Sequence, residues 1–192
     1  MERLDKILAS QGTLSRRDVK EIIKQNGLKD ILDIGTGSGC IACTIAQQAD
    51  TYVLGVDISS EALQIALENA SSLNLNNKAV FRKSDIYSKI RECEKFDLII
   101  SNPPYIDINE NIDDLVKKHE PHLALYSEEK GLYHYNQILI QSKSNLKDNG
   151  FIIFEIPSNR DDEIITLVNK YYKDYKIVKD YNNLSRVLII RS

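Results

Sequence analysis

The chain has 192 residues, of which 42% are hydrophobic and 28% are charged, and its formal net charge is −3. This length suffices for one well-filled α/β core and is too short for two full domains. The acidic balance argues against a broad nucleic-acid surface, while the short apolar runs and the charged first residues predict a cytoplasmic protein with no membrane partner.

Residues 1–27 are locally basic and carry two apolar stripes. The stripes are Leu4, Ile7 and Leu8, followed by Val19, Ile22 and Ile23. The second stripe predicts a helix that Ser15 caps. The segment resembles the first half of an S4 RNA-binding module, which implies contact with RNA or the ribosome, but the strands that would complete the module are missing. The alternative is a helical hairpin packed on the main domain, which we place at residues 28–192.

A glycine-rich loop follows the first predicted strand. Glycine stands at every second position of the loop, as Gly35, Gly37 and Gly39, and a helix is predicted from about Ser38 or Gly39. Such a loop lets a ligand come close to bare backbone amides, and the helix start offers unpaired N–H groups. The pattern favours a nucleotide-like ligand, with a plain strand-to-helix connection as the alternative.

The cysteines and histidines predict no metal or disulfide site. Cys40 and Cys43 have the Cys-x-x-Cys spacing, but they lie in an apolar helix with no second pair of ligands nearby, which favours ordinary packing. Cys93 makes the cysteine count odd, so three free thiols are predicted. The three histidines show no spacing typical of a metal site.

Asp57 ends the second predicted strand, at residues 51–58, about twenty positions beyond the loop. In a Rossmann-like fold an acid at this place holds the two hydroxyls of a ribose, which both NAD and S-adenosylmethionine carry. Dinucleotide enzymes favour Gly-x-Gly-x-x-Gly. The Gly-x-Gly-x-Gly behind Asp33 instead resembles class I methyltransferases. The alternative is that Asp57 caps the next helix, a role that Ser59 and Ser60 could also fill.

Asp85 and Ile86 follow the third predicted strand, at residues 79–82, which comes after a helix at residues 62–73. In the methyltransferase interpretation, Asp85 faces the adenine amino group and Ile86 packs on the adenine ring. Asp85 could equally cap a short helix after it.

Asn102-Pro-Pro-Tyr105 follows a buried strand predicted at residues 96–101. The two prolines remove two backbone donors and hold the residues before them extended. Asn102 would then present a side-chain acceptor and Pro103 a main-chain acceptor, which together fit the two hydrogens of a planar amino group. Tyr105 supplies a flat face for a planar substrate. A simple strand terminator is the alternative interpretation of the motif.

The remaining pattern completes an α/β fold. It predicts helices at 131–146 and 161–172, a fifth strand at 150–156, and a closing antiparallel hairpin at 176–179 and 186–191. We therefore predict a Rossmann-like class I methyltransferase fold, with a seven-stranded, mostly parallel sheet, a reversed last strand and helices on both faces.

Several stretches together resemble the HemK/PrmC family of release-factor glutamine methyltransferases. They are Gly35 to Gly39, Asp57, Asn102-Pro-Pro-Tyr105, Glu120-Pro-His-Leu-Ala-Leu125, Gly131-Leu-Tyr-His-Tyr135, Asn149-Gly-Phe-Ile-Ile-Phe-Glu155 and Ser185-Arg-Val-Leu188. The resemblance covers about residues 28–192. The chain departs from the family in having Ser127-Glu128 where a Gly-Gly pair is usual, and residues 1–27 do not resemble the family's longer helical N-terminal domain.

The resemblance implies an S-adenosylmethionine-dependent enzyme that methylates the side-chain nitrogen (N5) of a glutamine in a peptide chain release factor, a protein of translation termination, with S-adenosylhomocysteine as product. Asn-Pro-Pro-Tyr alone is shared with amino-group methyltransferases of nucleic acids. The alternatives are therefore an RNA or DNA methyltransferase that acts on adenine N6 or a similar planar nitrogen, and an inactive ribosome-associated binding module.

The resemblance also implies which residues form the site. The catalytic set is Asn102, Pro103, Pro104 and Tyr105. The cofactor-binding set is Asp33, Gly35, Thr36, Gly37, Ser38, Gly39, Asp57, Ile58, Asp85, Ile86 and Asn102. No residue of Asn-Pro-Pro-Tyr has a pKa suited to deprotonating an amide, so the sequence predicts catalysis by positioning, proton loss to solvent and a flat rate profile between about pH 6 and 9.

Overall fold

The computed structural model describes residues 16–107, 126–127 and 131–192. Its main helices and strands follow in the order α1 (Arg16–Asn26), β1 (Asp30–Ile34), α2 (Cys40–Gln48), β2 (Tyr52–Asp57), α3 (Ser60–Ser72), β3 (Ala79–Lys83), β4 (Phe96–Ser101), α4 (Tyr133–Asn145), β5 (Leu146–Glu155), α5 (Asp161–Val168), β6 (Asp174–Lys179) and β7 (Ser185–Arg191). A separate short parallel pair joins Ile106–Asp107 to Tyr126–Ser127.

The seven main strands form one sheet in the order β3-β2-β1-β4-β5-β7-β6. Strands β1 to β5 pair in parallel, whereas β7 is antiparallel to both β5 and β6. This confirms the predicted sheet with its reversed last strand. The chain order reverses between β1 and β4, and in open α/β sheets a ligand crevice lies at such a switch point, outside the carboxyl ends of the strands.

Helices cover both faces of the sheet, which is why the central strands are apolar along nearly their whole length. One face packs against α1, α2 and α3 through side chains such as Ile23, Cys43 and Ala70. The other face packs against α4 and α5 through side chains such as Leu139 and Ile164.

Helix α1 packs on the sheet of the main domain. Val19 and Ile23 are 6% and 3% exposed and belong to the same cluster as Ile31 of β1, as the inward-facing apolar stripe predicts. The first predicted stripe and Ser15 lie outside the described residues. The division of the chain after residue 27 stays a prediction.

Three local differences separate the structure from the sequence-based elements. Helix α2 begins at Cys40, because Gly39 takes a left-handed φ of 76° as its N-cap. Strand β5 begins at Leu146, directly after α4. No helix follows Asp85. Residues 86–89 form turns instead, so the interpretation of Asp85 as a cap of a short helix is wrong. In the described part of the chain, no helix is long and apolar enough to cross a membrane.

Candidate active site

The register of the parallel strands aligns their carboxyl ends. Ile34 of β1 pairs with Val56 of β2 and with Ser101 of β4, and Ser101 pairs with Phe154 of β5. The Ser101 hydroxyl also donates to the Ile34 carbonyl over a buried 2.8 Å. The ends of β1 and β4 are therefore tied together at the predicted crevice.

One residue beyond these pairs lies a row of four residues, in the order Asp57, Gly35, Asn102 and Glu155. Neighbouring strands lie about 4.8 Å apart, so Asp57 and Asn102 are separated by roughly 10 Å, with the glycine loop between them. Asp57, which is predicted to bind a ribose, and Asn102, which is predicted to bind the substrate, thus lie on either side of the glycine loop. Glu155 is the next residue beyond Asn102.

The glycine loop combines open space with tight packing. All three of its glycines have positive φ. A Cβ at Gly35 or Gly37 would meet nothing within 4 Å, whereas a Cβ at Gly39 would come within 2.9 Å of Ala66 and 3.0 Å of Phe81. Gly39 is therefore needed for packing, while Gly35 and Gly37 leave room for a ligand against the backbone.

Asp33 lies beneath the loop and is fully buried. Its Oδ2 accepts hydrogen bonds from Thr36 Oγ1 at 2.6 Å and from the Ala42 amide at 3.1 Å. Its Oδ1 is buried with no hydrogen-bond partner in the described residues. Burial raises the pKa of Asp33 to about 6. At neutral pH the loop therefore rests on a buried negative charge with one unsatisfied oxygen.

We predict that Asp33→Asn stabilises the ligand-free protein at alkaline pH. The fold favours the protonated Asp33 carboxyl, so the free energy of unfolding falls as pH rises from about 4 through about 6. The full difference corresponds to at most about 3 kcal/mol. Urea unfolding at pH 4.5 and 8 should show a smaller drop for Asp33→Asn than for the wild type or for exposed Asp162→Asn. An unchanged drop in Asp33→Asn would contradict this.

Asp57 ties the loop to the end of β2. Its Oδ2 accepts from the Gly37 amide at 2.8 Å and its Oδ1 from the Ser59 amide at 2.9 Å. Each carboxylate oxygen keeps a further lone pair for a ligand hydroxyl. The cap of α3 is Ser59, whose Oγ accepts from the Ala62 amide at 3.1 Å. The neighbouring Ile58 is 49% exposed.

Ile86 adopts a backbone conformation that is rare for a β-branched residue, with φ of 47°. Ser84 Oγ donates to the Ile86 carbonyl at 2.9 Å and accepts from the Lys89 amide at 3.0 Å. Ser88 Oγ accepts from the Asp85 amide at 3.0 Å. These bonds hold a tight turn at the end of β3, with the Asp85 side chain exposed and Ile86 half-buried.

An ion pair closes the segment that carries this turn. Arg82 donates to both carboxylate oxygens of Glu94, each at 2.9 Å, and these bonds hold the pKa of Glu94 at about 2. Asn145 of α4 donates to the carbonyls of Arg91 and Glu94. The Asp85 and Ile86 turn is therefore anchored on both its sheet side and its helix side.

The Asn102-Pro-Pro-Tyr105 segment leaves β4 with Asn102 exposed, Pro103 buried and Pro104 half-buried. Tyr105 is 37% exposed, and its carbonyl accepts from Arg160 Nη1 at 3.3 Å. The segment thus presents the Asn102 amide to solvent while its far end is held by Arg160.

Glu155 lies at the same edge of the sheet, and the sequence analysis did not single it out as a candidate functional residue. Tyr135 Oη donates to the Glu155 carbonyl at 2.8 Å. Burial raises the pKa of the Glu155 carboxyl to about 7, against the opposing charge of Arg186. The only sequence signal for it is a glutamate that ends an otherwise apolar strand.

The other predicted residues fall near the same edge with different roles. Thr36 is buried and bonded to Asp33, and the Ser38 carbonyl accepts from Asn69 Nδ2 at 2.9 Å. The Glu120 to Leu125 stretch lies outside the described residues. Cys40, Cys43 and Cys93 form no disulfide with one another. Across residues 16–107, 126–127 and 131–192, no group of three or more His, Cys, Asp or Glu residues could hold a metal ion.

Comparison with known proteins gives a consistent result. The family model for the methyltransferase small domain matches residues 19–124. The chain is 38% identical over 177 residues to a release factor glutamine methyltransferase of Clostridium acetobutylicum. The matched region covers 89% of this chain and 62% of that protein. The chain is also 38% identical over 165 residues to the protein of the same name from Koribacter versatilis, covering 84% of this chain and 58% of that protein. The chain therefore spans about three fifths of these relatives' length.

Among solved structures, a T. thermophilus 16S rRNA methyltransferase in complex with AdoMet and guanosine superposes with a TM-score of 0.68. The match covers 96% of this chain and 44% of that chain at 16% sequence identity. At this identity the likeness establishes the fold alone.

Proposed function

Because the chain belongs to the methyltransferase small domain family, and within it to the HemK/PrmC group, we propose that it is an S-adenosylmethionine-dependent methyltransferase that acts on the side-chain nitrogen of a glutamine in a peptide chain release factor. The observation that carries this proposal is the position of Asn102, one residue beyond Ser101 at the crevice between β1 and β4. The names of the relatives at 38% identity support the choice of substrate.

The residues present fit S-adenosylmethionine. This molecule combines a ribose with a positively charged sulfonium and an ammonium group. The open space against Gly35 and Gly37 can admit its bulk, and the unsatisfied buried Oδ1 of Asp33 favours positive charge nearby. Asp57 has free lone pairs for the ribose hydroxyls. When bound, S-adenosylmethionine would supply an electrophilic methyl group.

The chain's own part in the reaction is to position the acceptor. An amide nitrogen is a poor nucleophile, because its lone pair is delocalised into the carbonyl. Asn102 Oδ1 and the Pro103 carbonyl would accept its two N–H bonds and so aim the nitrogen. Both acceptors would also stabilise the positive charge that grows on the nitrogen. Pro104 stiffens the segment and Tyr105 offers a flat face to the amide.

We predict that Asp57→Ala weakens S-adenosylhomocysteine binding by about 1 to 3 kcal/mol, because a charge-assisted ribose contact is lost. The loss of the Gly37 bond to Asp57 Oδ2 would loosen the loop as well. Glu61→Ala is the matched control, since Glu61 is an exposed acid near the same turn and should leave affinity unchanged. Calorimetry that finds equal affinity for wild type and folded Asp57→Ala would refute this role, and tighter binding of NAD would refute the cofactor.

The substrate is tested by competition between acceptors. The protein is incubated with methyl-labelled S-adenosylmethionine together with purified release factor and ribosomal RNA in one mixture. We expect label in the release factor alone. Label in RNA alone would instead support a nucleic-acid amino methyltransferase that uses the same Asn102 on a flipped base. No label in either acceptor, with the protein bound to ribosomes, would support an inactive binding module.

A further inference from the structure

Glu155 and Asn102 are neighbours across two parallel strands. Ser101 pairs with Phe154, so the next residues along β4 and β5 lie opposite each other. Ile100 and Ile153, two positions earlier, pack in the same cluster on one face of the sheet. Because side chains alternate along a strand, Glu155 belongs to that same face, and Asn102 lies one residue beyond the end of β4.

The Glu155 side chain is half-buried, and it forms no ion pair among the described residues. Arg186 of β7 is the cation that acts on it, but the Arg186 guanidinium is bound to Asp180, with Nε 2.9 Å from Oδ2. Partial burial of a carboxyl without an ion pair is costly to a fold, and carboxyls with a raised pKa concentrate at functional sites. The Asn102 side chain is exposed, and no hydrogen bond joins it to the Glu155 carboxylate in this structure, so its amide nitrogen is available to a new acceptor.

We propose that Glu155 is a positioning residue for methyl transfer, an inference that rests on the proposed function. When the substrate binds, the Glu155 carboxylate accepts a hydrogen bond from Asn102 Nδ2, and this bond turns Asn102 Oδ1 toward the substrate nitrogen. A carboxylate only accepts, so it selects one of the two orientations of the asparagine amide.

The charge of Glu155 has a second effect on the reaction. As the bond from carbon to the substrate nitrogen forms and the bond from carbon to sulfur breaks, positive charge moves from sulfur to nitrogen. The nitrogen lies on the Asn102 side of the row, next to Glu155, so the carboxylate stabilises the transition state more than the ground state. The proton on the nitrogen then leaves to solvent.

This role requires an ionised Glu155 carboxylate. The groups around the carboxylate determine its pKa. The described titratable groups that act on it are Arg186 from β7 and Tyr135 from α4, and Arg160 acts on the same tyrosine. The side chains of residues 16–18 in α1 lie outside the described residues. Since burial raises the pKa of Glu155 to about 7, turnover should rise with pH through about 7. The flat profile predicted from the sequence should not be observed.

The test compares the wild type, Glu155→Gln and the control Asp161→Asn, each acting on intact release factor between pH 6 and 9. Asp161→Asn makes the same carboxyl-to-amide change in a side chain that is bonded to Ser185 and has no place in the site. We expect Glu155→Gln to lower kcat by about 10- to 100-fold at pH 8, the range for a lost charge-assisted hydrogen bond. Its profile should be flat and its KM values unchanged. Asp161→Asn should keep the wild-type profile.

The outcomes separate this inference from the function beneath it. A flat wild-type profile overturns the role of Glu155, even where Glu155→Gln fails to fold. Unchanged kcat in folded Glu155→Gln, or a change in KM alone, overturns it as well. If the wild type methylates no release factor at any pH, the proposed function fails and this inference fails with it.

Discussion

Asn102→Ala should lower the turnover number by a factor on the order of 10²–10³, the cost of removing one preorganised electrostatic contact from an active site. The expectation follows from the position of Asn102 in the row between Gly35 and Glu155. Its amide is exposed while Pro103 beside it is buried, so the side chain is available to a substrate. Steady-state kinetics with release factor as acceptor provide the measurement.

Binding of S-adenosylmethionine should change far less than turnover in Asn102→Ala, because the ribose and loop contacts remain. Asn159→Ala is the matched control, since Asn159 is an exposed asparagine in the turn after β5. The control should retain wild-type turnover. A folded Asn102→Ala protein with wild-type turnover would remove Asn102 from the mechanism.

Gly131→Ala should lower the free energy of unfolding by about 2 to 4 kcal/mol and reduce turnover together with it. Gly131 has a φ of 79°, and a Cβ there would lie 2.1 Å from the Tyr105 carbonyl oxygen and 2.6 Å from Arg160 Nη1. The left-handed conformation alone costs an alanine about 1 kcal/mol, and the overlap adds about 1 to 3 kcal/mol. Relief of the overlap moves Tyr105 and loosens the end of the Asn-Pro-Pro-Tyr segment.

Gly27→Ala separates the two contributions. Gly27 has a φ of 63°, but a Cβ there would meet nothing within 4 Å. Urea unfolding should therefore show a loss of only about 1 kcal/mol for Gly27→Ala, with turnover unchanged. Equal losses in both variants would mean that the Tyr105 contact has no energetic role.

Much of the site was predictable because its residues follow buried apolar strands. Gly35, Asp57 and Asn102 each come directly after such a run or end it, and parallel strands bring their carboxyl ends to one edge. The order of the strands was not readable from these motifs. The register therefore adds the spacing of roughly 10 Å between Asp57 and Asn102, which the motifs alone do not contain.

The role that we propose for Glu155 was not recognisable from the sequence. A glutamate after Phe151-Ile-Ile-Phe154 is typical of a strand that ends at the protein surface. Its meaning depends on a neighbour more than fifty positions away in the chain, Asn102, and only the pairing of β4 with β5 reveals that proximity. Long-range register of this kind leaves no trace in local periodicity.

The turn at Asp85 and Ile86 shows how side chains override a local prediction. Serine hydroxyls compete with helical hydrogen bonds by binding nearby backbone groups. Here Ser84 and Ser88 bind the Ile86 carbonyl and the Asp85 amide, so turns replace the expected short helix. A left-handed isoleucine is rare enough that no pattern would predict it.

The most direct test of the account is to locate the transferred methyl group. Release factor treated with the protein and S-adenosylmethionine is digested, and mass spectrometry identifies the modified residue and atom. The account predicts a single added methyl group on the side-chain nitrogen of one glutamine, absent when Asn102→Ala replaces the wild type. A methyl group on any other residue type, or unmodified release factor beside methylated RNA, would contradict the account.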